Sequence, residues 1–313
     1  MSRTTLALLA ALAALPVWVW HSDVAPTPVQ WALIRNLSLT MLAIALLCFV
    51  VGELSGNVSQ VDKLWSITPP LYAWLATAQA GYEPRMVLMS VVATIWGIRL
   101  TYNFSRHGGY SWKFWSGNED YRWAHVRRKR GLDNRLVWTA FHFGFICLYQ
   151  NALLLLIALP VVLVQGTGAP TLLDVLLAAL FLGLVGLETL ADQQQWNFQT
   201  EKKRRLKSGE PLDGDYARGF ITSGLWAHSR HPNYFAEQSI WVVFFLFSVA
   251  ATGAFNWSVI GCLLLILLFQ GSSKLSESLQ ADKYPDYPEY QRCVPRFIPS
   301  LRPFAPVRSQ RAT

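Results

Sequence analysis

Apolar residues lie along this chain in long runs that are separated by polar segments. A bilayer core about 30 Å thick needs about 20 largely apolar residues of helix. Scanning for such runs predicts eight spans, at residues 4–20, 37–52, 64–80, 86–104, 136–164, 172–190, 234–251 and 255–275. Strand alternation is missing, and no Gly-x-Gly-x-x-Gly phrase follows a strand. The pattern predicts an all-α polytopic transmembrane helix bundle of seven or eight spans, without a Rossmann domain.

Two of these runs have unusual sequences. The run 4–20 is short and has the composition of a signal peptide, but it ends in bulky residues such as Trp20, which suit an interfacial aromatic belt better than a cleavage site. The run 64–80 contains Pro69 and Pro70, which we expect to kink or break its helix. Seven spans remain if one of these two runs does not cross.

The composition and the charge distribution agree with a membrane protein. Of the 313 residues, 52% are hydrophobic and 15% are charged, whereas soluble domains carry about 25% charged residues. Of the 27 Lys and Arg residues, only Arg35, Arg85 and Arg99 do not flank the spans on one face. Because cytoplasmic flanks are enriched in Lys and Arg, both termini are expected to be cytoplasmic. The net charge of +8 favours contact with anionic membrane lipids and not with nucleic acid.

The cysteines predict neither a disulfide framework nor a metal site. Cys48, Cys147, Cys262 and Cys293 are widely spaced, and none belongs to a Cys-x-x-Cys pair. Structural zinc sites and small disulfide scaffolds both need closely clustered cysteines. We therefore expect no bound metal.

Ionisable residues within or beside apolar runs are the first candidates for a functional site, because a charged side chain in the membrane costs free energy and is usually kept for a function. Glu188 and Asp192 are four residues apart, so they share one face of a helix. Two like charges on one face repel unless a cation or a ligand donor lies between them. The alternative interpretation is a structural ion pair with Arg99 or Arg122.

A second candidate lies at the start of the seventh predicted span. Its sequence is Ser229-Arg230-His231-Pro232-Asn233-Tyr234-Phe235-Ala236-Glu237. Pro232 suits the first turn of a helix, and the free N–H groups of that turn favour an anion such as phosphate. The alternative is a plain interfacial helix start, in which the polar groups only hydrogen-bond the loop.

With this phrase the chain resembles the membrane steroid 5α-reductase-like superfamily, in particular its bacterial branch of unassigned function. The resemblance covers residues 61–299 and is carried by Val61-Asp62-Lys63-Leu64-Trp65, Trp96-Gly97-Ile98-Arg99-Leu100, Glu119-Asp120-Tyr121-Arg122, Glu188 with Asp192, Gly224-Leu225-Trp226, the Ser229–Glu237 phrase, Tyr287-Pro288-Glu289-Tyr290-Gln291-Arg292 and Phe297-Ile298-Pro299. It implies N-terminal transmembrane helices at 1–54, a reductase-like transmembrane domain at 55–300 with cytoplasmic loops 105–135 and 196–233, and a cytoplasmic tail at 301–313. The implied location is the bacterial inner (cytoplasmic) membrane.

The resemblance also implies a reaction. Members of the family use NADPH to saturate the carbon–carbon double bond of a lipophilic α,β-unsaturated ketone, such as a 3-oxo-Δ4-steroid or another lipid enone, which enters from the bilayer. Asp62 falls where the family places the carboxyl group that hydrogen-bonds the ketone, and Trp96 falls where its steroid reductases have a tyrosine. The implied cofactor-binding residues are Arg106, Arg122, Glu188, Asp192, Arg218, Arg230, His231, Asn233 and Tyr234.

Two departures from the family concern the catalytic residues. Val61 and Asp62 stand in place of a Gln-Glu pair, and Trp96 replaces a tyrosine, although an indole N–H does not deliver a proton to an enolate. A carboxyl group buried among apolar helices has a raised pKa, so we expect Asp62 to be protonated and able to donate, with pairing to Arg99 as the alternative. We further expect Asp62 to be buried and the adjacent Lys63 to reach the interface.

Two other functions stay open. Membrane methyltransferases of the isoprenylcysteine and phospholipid type share the Arg-His-Pro phrase and bind S-adenosylmethionine, but they have a Glu-Glu pair where this chain has Ser276-Glu277-Ser278. A sulfonium cofactor needs no phosphate-binding arginines, whereas this chain offers four, namely Arg106, Arg122, Arg218 and Arg230. The third candidate is a non-catalytic sterol- or lipid-binding membrane protein, because Trp96 replaces the expected phenol.

Overall fold

The computed structural model describes residues 24–129 and 131–304, together with 10, 14, 17, 18 and 21. The predicted span 4–20 and residues 305–313 of the predicted tail therefore lie outside its continuous part. The described residues form helices and loops, with no strand among them. The helices are α1 (Pro28–Ser55), α2 (Gln60–Leu64), α3 (Thr68–Gln79), α4 (Pro84–Arg106), α5 (Tyr121–Lys129), α6 (Arg135–Leu163), α7 (Leu172–Ser208), α8 (Gly214–Arg218), α9 (Pro232–Thr252), α10 (Val259–Lys283) and α11 (Tyr287–Cys293), with a 3-10 turn at Gly224–Ala227.

Six helices in the described part of the chain are long and apolar enough to cross a membrane, namely α1, α4, α6, α7, α9 and α10. They coincide with six of the eight predicted spans, so the prediction of an all-α membrane protein is confirmed. The bounds of α1 follow from its sequence. The Thr27 hydroxyl and the Gln30 side chain form a reciprocal capping box, Pro28 occupies the first turn, and Gly56 ends the helix with a left-handed φ of 71°.

The predicted span 64–80 is divided into two short helices. α3 has 12 residues and is about 18 Å long at 1.5 Å per residue, which is shorter than a bilayer core. Pro69 and Pro70 lie in its first turn, where the missing N–H groups need no helical partner. The prolines therefore begin α3, and the interruption of the apolar run precedes them.

The segment that contains α3 nevertheless runs the length of α4. At one end Lys63 Nζ donates to the carbonyl oxygen of Ser116, just beyond the end of α4. At the other end the Glu83 carboxylate accepts from the backbone N–H of Gly166, next to the start of α4. α4 has 23 residues and is about 35 Å long. Residues 63 and 83 therefore lie at opposite ends of α4. This separation is what the predicted span 64–80 requires if it crosses the membrane.

α6 is the most buried of the six long helices, because 89% of its 18-residue apolar stretch is buried. Its residues His142–Tyr149 form a π-helical segment, a feature that often occurs at functional sites. His142 is fully buried there, and its Nδ1 lies 2.7 Å from Glu53 Oε1. A Cβ atom on Gly52 would lie 2.6 Å from the His142 ring, so only glycine allows this approach.

The described chain divides into two compact units. Among the described residues, the first comprises those up to 182 together with 241–265, and the second comprises 183–240 and 266–304. In the second unit α7 continues to Ser208, so the first part of the predicted loop 196–233 is helical. Ion pairs of Glu201 with Arg204 and Arg205 stabilise this extension at i,i+3 and i,i+4 spacing.

Candidate functional site

In the first unit, the short helix α2 that carries Asp62 is held by the loop between α4 and α5. Lys63 Nζ donates to the carbonyl oxygens of Phe114 and Ser116 at 3.0 and 2.8 Å. Tyr110 Oη donates to the carbonyl oxygen of Lys63 at 2.8 Å. Two sequence segments that carry the family resemblance, at 61–65 and 119–122, are brought together here, because Asp120 N also donates to the Ser59 hydroxyl.

The expectation that Lys63 reaches the interface is wrong. Its side chain is buried, with 6% of the residue exposed. The ammonium group replaces water by three internal acceptors, the two loop carbonyls and Gln60 Oε1 at 3.1 Å. The sequence carried no signal for this arrangement, because two of the three acceptors are backbone atoms of a distant loop.

Asp62 is half-buried as a residue, but its Oδ2 is shielded from solvent and has no hydrogen-bond partner among the described residues. Burial raises the pKa of Asp62, while a hydrogen bond with Ser59 and the charge of Arg122 act in the opposite direction. The charge of Asp120, the ion-pair partner of Arg122, raises the pKa of Asp62 further and so opposes the effect of Arg122. A carboxyl group held in this way keeps its proton to higher pH and can donate it to an acceptor.

Two further side chains, Tyr72 and Asn151, interact with the Cys48 thiol, as Asp62 does. Tyr72 and Asn151 are fully buried, and their Oη and Oδ1 atoms have no partner in the described structure. The thiol of Cys48 interacts electrostatically with Asp62 and Tyr72 and lies beside Asn151. We call Cys48, Asp62, Tyr72 and Asn151 the Cys48 cluster. Buried polar groups usually have hydrogen-bond partners, so the shielded Asp62 Oδ2 and Tyr72 Oη mark the Cys48 cluster as a candidate polar site. Sequence reasoning missed Tyr72 and Asn151, although both are polar residues within apolar runs.

Trp96 is fully buried in α4 and packs edge-on against Trp241, with ring centroids 4.7 Å apart. The next residue, Gly97, allows α4 to approach the connection between α2 and α3. A Cβ atom at this position would lie 2.5 Å from the carbonyl oxygen of Ser66. Trp96 is therefore held rigidly in the first unit, which also contains Asp62.

The remaining candidates of the first unit are two arginines. Arg106, at the end of α4, donates from Nε to Asn103 Oδ1 at 2.9 Å and lies 5.6 Å from the Tyr102 ring centroid. Arg122 forms an ion pair with Asp120, with Nε 2.7 Å from Oδ2. The structure thus places Arg122 beside the Asp62 segment, with a carboxylate as its partner.

In the second unit, Asp192 and Asn233 are joined directly. Asn233 Nδ2 donates to Asp192 Oδ1 at 3.0 Å, and Asn233 Oδ1 accepts from the backbone N–H of Tyr234. Glu188 lies one helical turn before Asp192 and is buried, with 5% exposed. The Tyr234 ring stacks on His231 at 5.1 Å. Five of the predicted cofactor residues are therefore near neighbours at the start of α9.

Arg230 pairs with Glu277. In the sequence, Glu277 stood out only because Ser276-Glu277-Ser278 replaces the Glu-Glu pair of membrane methyltransferases. Its Nε donates to Glu277 Oε1 at 2.7 Å, its Nη2 donates to Oε2 at 3.2 Å, and its Nη1 donates to the carbonyl oxygens of Gln291 and Val294. His231 Nε2 also lies 3.0 Å from Glu277 Oε1. Glu277 is 2% exposed and joins α10 to the entrance of α9. The pairing makes Arg230 a structural residue of the second unit.

Arg218 also has a carboxylate partner. Its Nη1 lies 3.1 Å from Asp215 Oδ1, and Asp215 in turn accepts from the backbone N–H of Thr222 at 2.8 Å. The same region borders an open cavity of about 570 Å³. The residues that line it are Gln194, Asn197, Phe198, Glu201, Asp213, Gly214, Asp215, Tyr216, Ile221, Ser223 and Gly224. The lining is rich in carboxylates and amides and contains no Lys or Arg.

The cavity wall is fixed by the Gly224-Leu225-Trp226 segment. Leu225 N donates to Gln194 Oε1 at 2.9 Å, and Trp226 Nε1 donates to the carbonyl oxygen of Ala191 at 3.1 Å. Gly224 has a φ of +61°, and a Cβ atom there would lie 2.7 Å from the Gln194 amide. This glycine therefore lets the loop lie directly against α7.

Comparison with known proteins gives one family and one relative. A family model described as "Protein of unknown function (DUF1295)" matches residues 48–294. An uncharacterized protein of Schizosaccharomyces pombe is 36% identical over 277 residues, which cover 82% of this chain and 78% of that protein. No solved structure matches the chain. The matched range contains the Cys48 cluster and the described residues around Asp192, Asn233 and Glu277.

Proposed function

The chain belongs to the family described as "Protein of unknown function (DUF1295)", and we propose that it is a membrane-embedded, NADPH-dependent reductase that saturates the carbon–carbon double bond of a lipophilic α,β-unsaturated ketone. The observation that carries the proposal is the unpartnered, shielded Oδ2 of Asp62 in the Cys48 cluster. The membrane helices supply an apolar route for such a substrate. The finer resemblance to steroid 5α-reductase-like enzymes is part of this proposal.

The chemistry follows from the protonation of Asp62. Adding a hydride to an enone moves negative charge onto the carbonyl oxygen, and a donor aimed at that oxygen lowers the barrier. The raised pKa of Asp62 favours the protonated carboxyl group, which can hydrogen-bond the ketone as a neutral acid does in other apolar sites. The surrounding apolar helices exclude water and so strengthen this interaction.

The second unit supports a nucleotide cofactor in part. NADPH supplies the hydride when it is bound. The amides of Gln194 and Asn197 and the carboxylates of Asp213 and Asp215 suit the base and the ribose hydroxyl groups of a nucleotide, and Tyr216 offers an aromatic ring. The cofactor phosphates favour cationic partners, and the lining of this cavity contains no Lys or Arg. The cavity therefore fits the nucleoside part.

One observation favours S-adenosylmethionine-dependent methyl transfer as the second candidate. Three of the four arginines assigned to phosphate binding, Arg122, Arg218 and Arg230, form ion pairs with carboxylates. Both cofactors contain an adenine nucleoside, so the cavity itself does not separate them.

The deciding experiment measures cofactor binding to the full-length protein in detergent by titration calorimetry. NADPH, NADH and S-adenosylmethionine are titrated separately, and NADPH consumption is then followed with a 3-oxo-Δ4-steroid and with a long-chain enone. Asp62→Asn is the matched variant, which should bind NADPH as the wild type does but turn over an enone at least about 100-fold more slowly.

Each result distinguishes between the functions. NADPH binding with enone-dependent consumption supports the reductase. Binding of S-adenosylmethionine without NADPH binding overturns it in favour of methyl transfer. If neither cofactor binds, the protein is a lipid-binding member of the family and the reductase proposal fails.

A further inference from the structure

The loop that joins α4 to α5 carries a cluster of exposed aromatic side chains. Trp112 is fully exposed, Phe114 is 66% exposed and Trp115 is 44% exposed. The Phe114 and Trp115 rings pack edge-on, with centroids 4.9 Å apart. We propose that this segment, residues 110–117, which we call the aromatic loop, docks into the surface of an anionic lipid bilayer. Lipid contact at the aromatic loop does not depend on the reaction proposed above.

Hydrogen bonds fix the aromatic loop between the ends of two membrane-length helices. The loop begins shortly after Arg106, where α4 ends. Asn57 Nδ2 donates to the carbonyl oxygen of Gly117 at 3.1 Å, and Asn57 lies just beyond Ser55, where α1 ends. Both α1 and α4 are long and apolar enough to cross a membrane. Because the aromatic loop is tied to one end of each helix, it lies at the level where the bilayer meets water.

The backbone of the aromatic loop has its carbonyl groups bonded inside the protein. The carbonyl oxygen of Lys113 accepts from the backbone N–H of Ser116 at 2.8 Å. The next four carbonyl oxygens, of residues 114–117, each accept from a side chain of the segment 57–63 at 2.8–3.1 Å. The donors are Lys63, which serves two of them, Gln60 and Asn57.

This bonding pattern suits a segment that enters the bilayer surface. Peptide groups without a partner are costly at membrane depth, because no water is present to bond them. The loop therefore turns its polar backbone toward the segment 57–63 and leaves its aromatic side chains to face outward. The buried ammonium group of Lys63 gains a reason by the same argument, since it satisfies two of these carbonyl groups.

The charges of the loop favour an anionic surface. Lys113 is exposed among the three aromatic residues, and residues 107–118 contain no Asp or Glu. The next residue, Glu119, is engaged within the protein, because its Oε1 accepts from the backbone N–H of Val58 at 2.8 Å. Trp and Phe rings rest at the boundary between headgroups and acyl chains, and an ammonium group beside them meets the lipid phosphates. The aromatic loop offers both features on one side.

Nitroxide labels measure the depth of the loop in the full-length protein reconstituted into vesicles. Ser111→Cys, in a Cys293→Ser background, puts the label beside Trp112 and keeps all three aromatic residues. Leu47→Cys, on an exposed face of α1, is the matched reference for lipid, and Lys207→Cys, at the exposed end of α7, is the reference for water. Oxygen concentrates in the bilayer and a nickel chelate stays in water, so the ratio of their relaxation effects reports depth.

In vesicles of phosphatidylcholine and phosphatidylglycerol, the oxygen-to-nickel ratio at position 111 should lie well above that at 207 and approach that at 47. Replacing Trp112, Phe114 and Trp115 together by Gln should lower it to the value at 207. The unfolding temperature of this variant should match the wild type, because the side chains removed are exposed. A wild-type ratio at 111 equal to that at 207 overturns the proposal and makes the cluster a surface for a soluble protein partner.

The contribution of charge is measured with the same label. In vesicles of phosphatidylcholine alone, the ratio at position 111 should be lower than in the anionic mixture, because the attraction of the lysine to the lipid headgroups is lost. Lys113→Gln should give the lower value in both kinds of vesicle. Equal ratios for the unchanged loop in the two kinds of vesicle overturn the preference for anionic lipid.

Discussion

Asp62 differs from the exposed carboxylates of the chain because the folded protein favours its protonated form. An unfolded chain titrates this group near the ordinary aspartate pKa of about 3.9. Its contribution to stability is therefore fully present below that value and is lost as the pH rises through the raised pKa of the folded state. Asp62→Asn does not titrate, so its stability relative to the wild type should increase with pH over this range.

This prediction is checked by thermal unfolding of both proteins in detergent at a series of pH values. Asp133→Asn is the control, because Asp133 is exposed and its removal should leave the pH dependence unchanged. If the wild-type and Asp62→Asn curves stay parallel at every pH, the buried carboxyl is ionised in the folded protein, and its role as a donor is wrong.

Asn233 is the second residue with a specific expectation. Its amide donates to Asp192 and accepts from the backbone at the start of α9. On the proposed function, Asn233→Ala also removes one hydrogen bond to the charged cofactor, which is worth about 1.5–3 kcal/mol, so NADPH binding should weaken by about 10- to 100-fold. Calorimetry measures the change, and Asn36→Ala, an amide of the first unit that bonds Gln79, serves as the control. Equal NADPH affinity in all three proteins would remove Asn233 from the cofactor site.

At the scale of elements, Glu277 joins α10 to the entrance of α9 and to the segment after α11. Its carboxylate accepts from Arg230, and both side chains are nearly inaccessible, at 3% and 8% exposed. Breaking a buried ion pair by removing one partner costs about 3–5 kcal/mol. Glu277→Ala should therefore lower the unfolding temperature strongly.

The control for this element is Glu201→Ala, which removes partly exposed pairs with Arg204 and Arg205. Such pairs contribute about 0–1 kcal/mol, so this variant should unfold near the wild-type temperature. Equal unfolding temperatures for the two variants would show that Glu277 does not hold the entrance of α9.

At the scale of the whole molecule, the prediction concerns orientation in the membrane. The Lys and Arg distribution places both termini and the loop after α4 inside, and the loop between α6 and α7 outside. Gly168 in that outer loop has a φ of +84° and tolerates cysteine poorly, so exposed Ala169 is the better labelling position. In a background with Cys293→Ser, an impermeant thiol reagent should label Ala169→Cys from outside and Lys207→Cys only after lysis. The reverse pattern would invert the topology.

The sequence alone determined the class of fold, because the length and polarity of a membrane-spanning helix are local properties. Six predicted spans coincide with long helices in the described residues, and the phrase beginning at Ser229 marks the start of α9. It also predicted site roles for Asp62 and Asn233, from polar residues beside apolar runs and from the family resemblance, and these roles stay predictions. The double proline was visible too, but its position in the first turn of α3 was not.

The tertiary structure alone decided which groups meet. Lys63 is buried because the carbonyl groups of residues 114 and 116 lie within reach of its ammonium group. Arg230 is paired because the fold brings Glu277, which is 47 residues away in the sequence, within hydrogen-bond distance. The unpartnered hydroxyl of Tyr72 and its interaction with Cys48 are visible only in the folded protein. Contacts between distant segments depend on the packing of whole helices, and hydropathy along the chain carries no information about them.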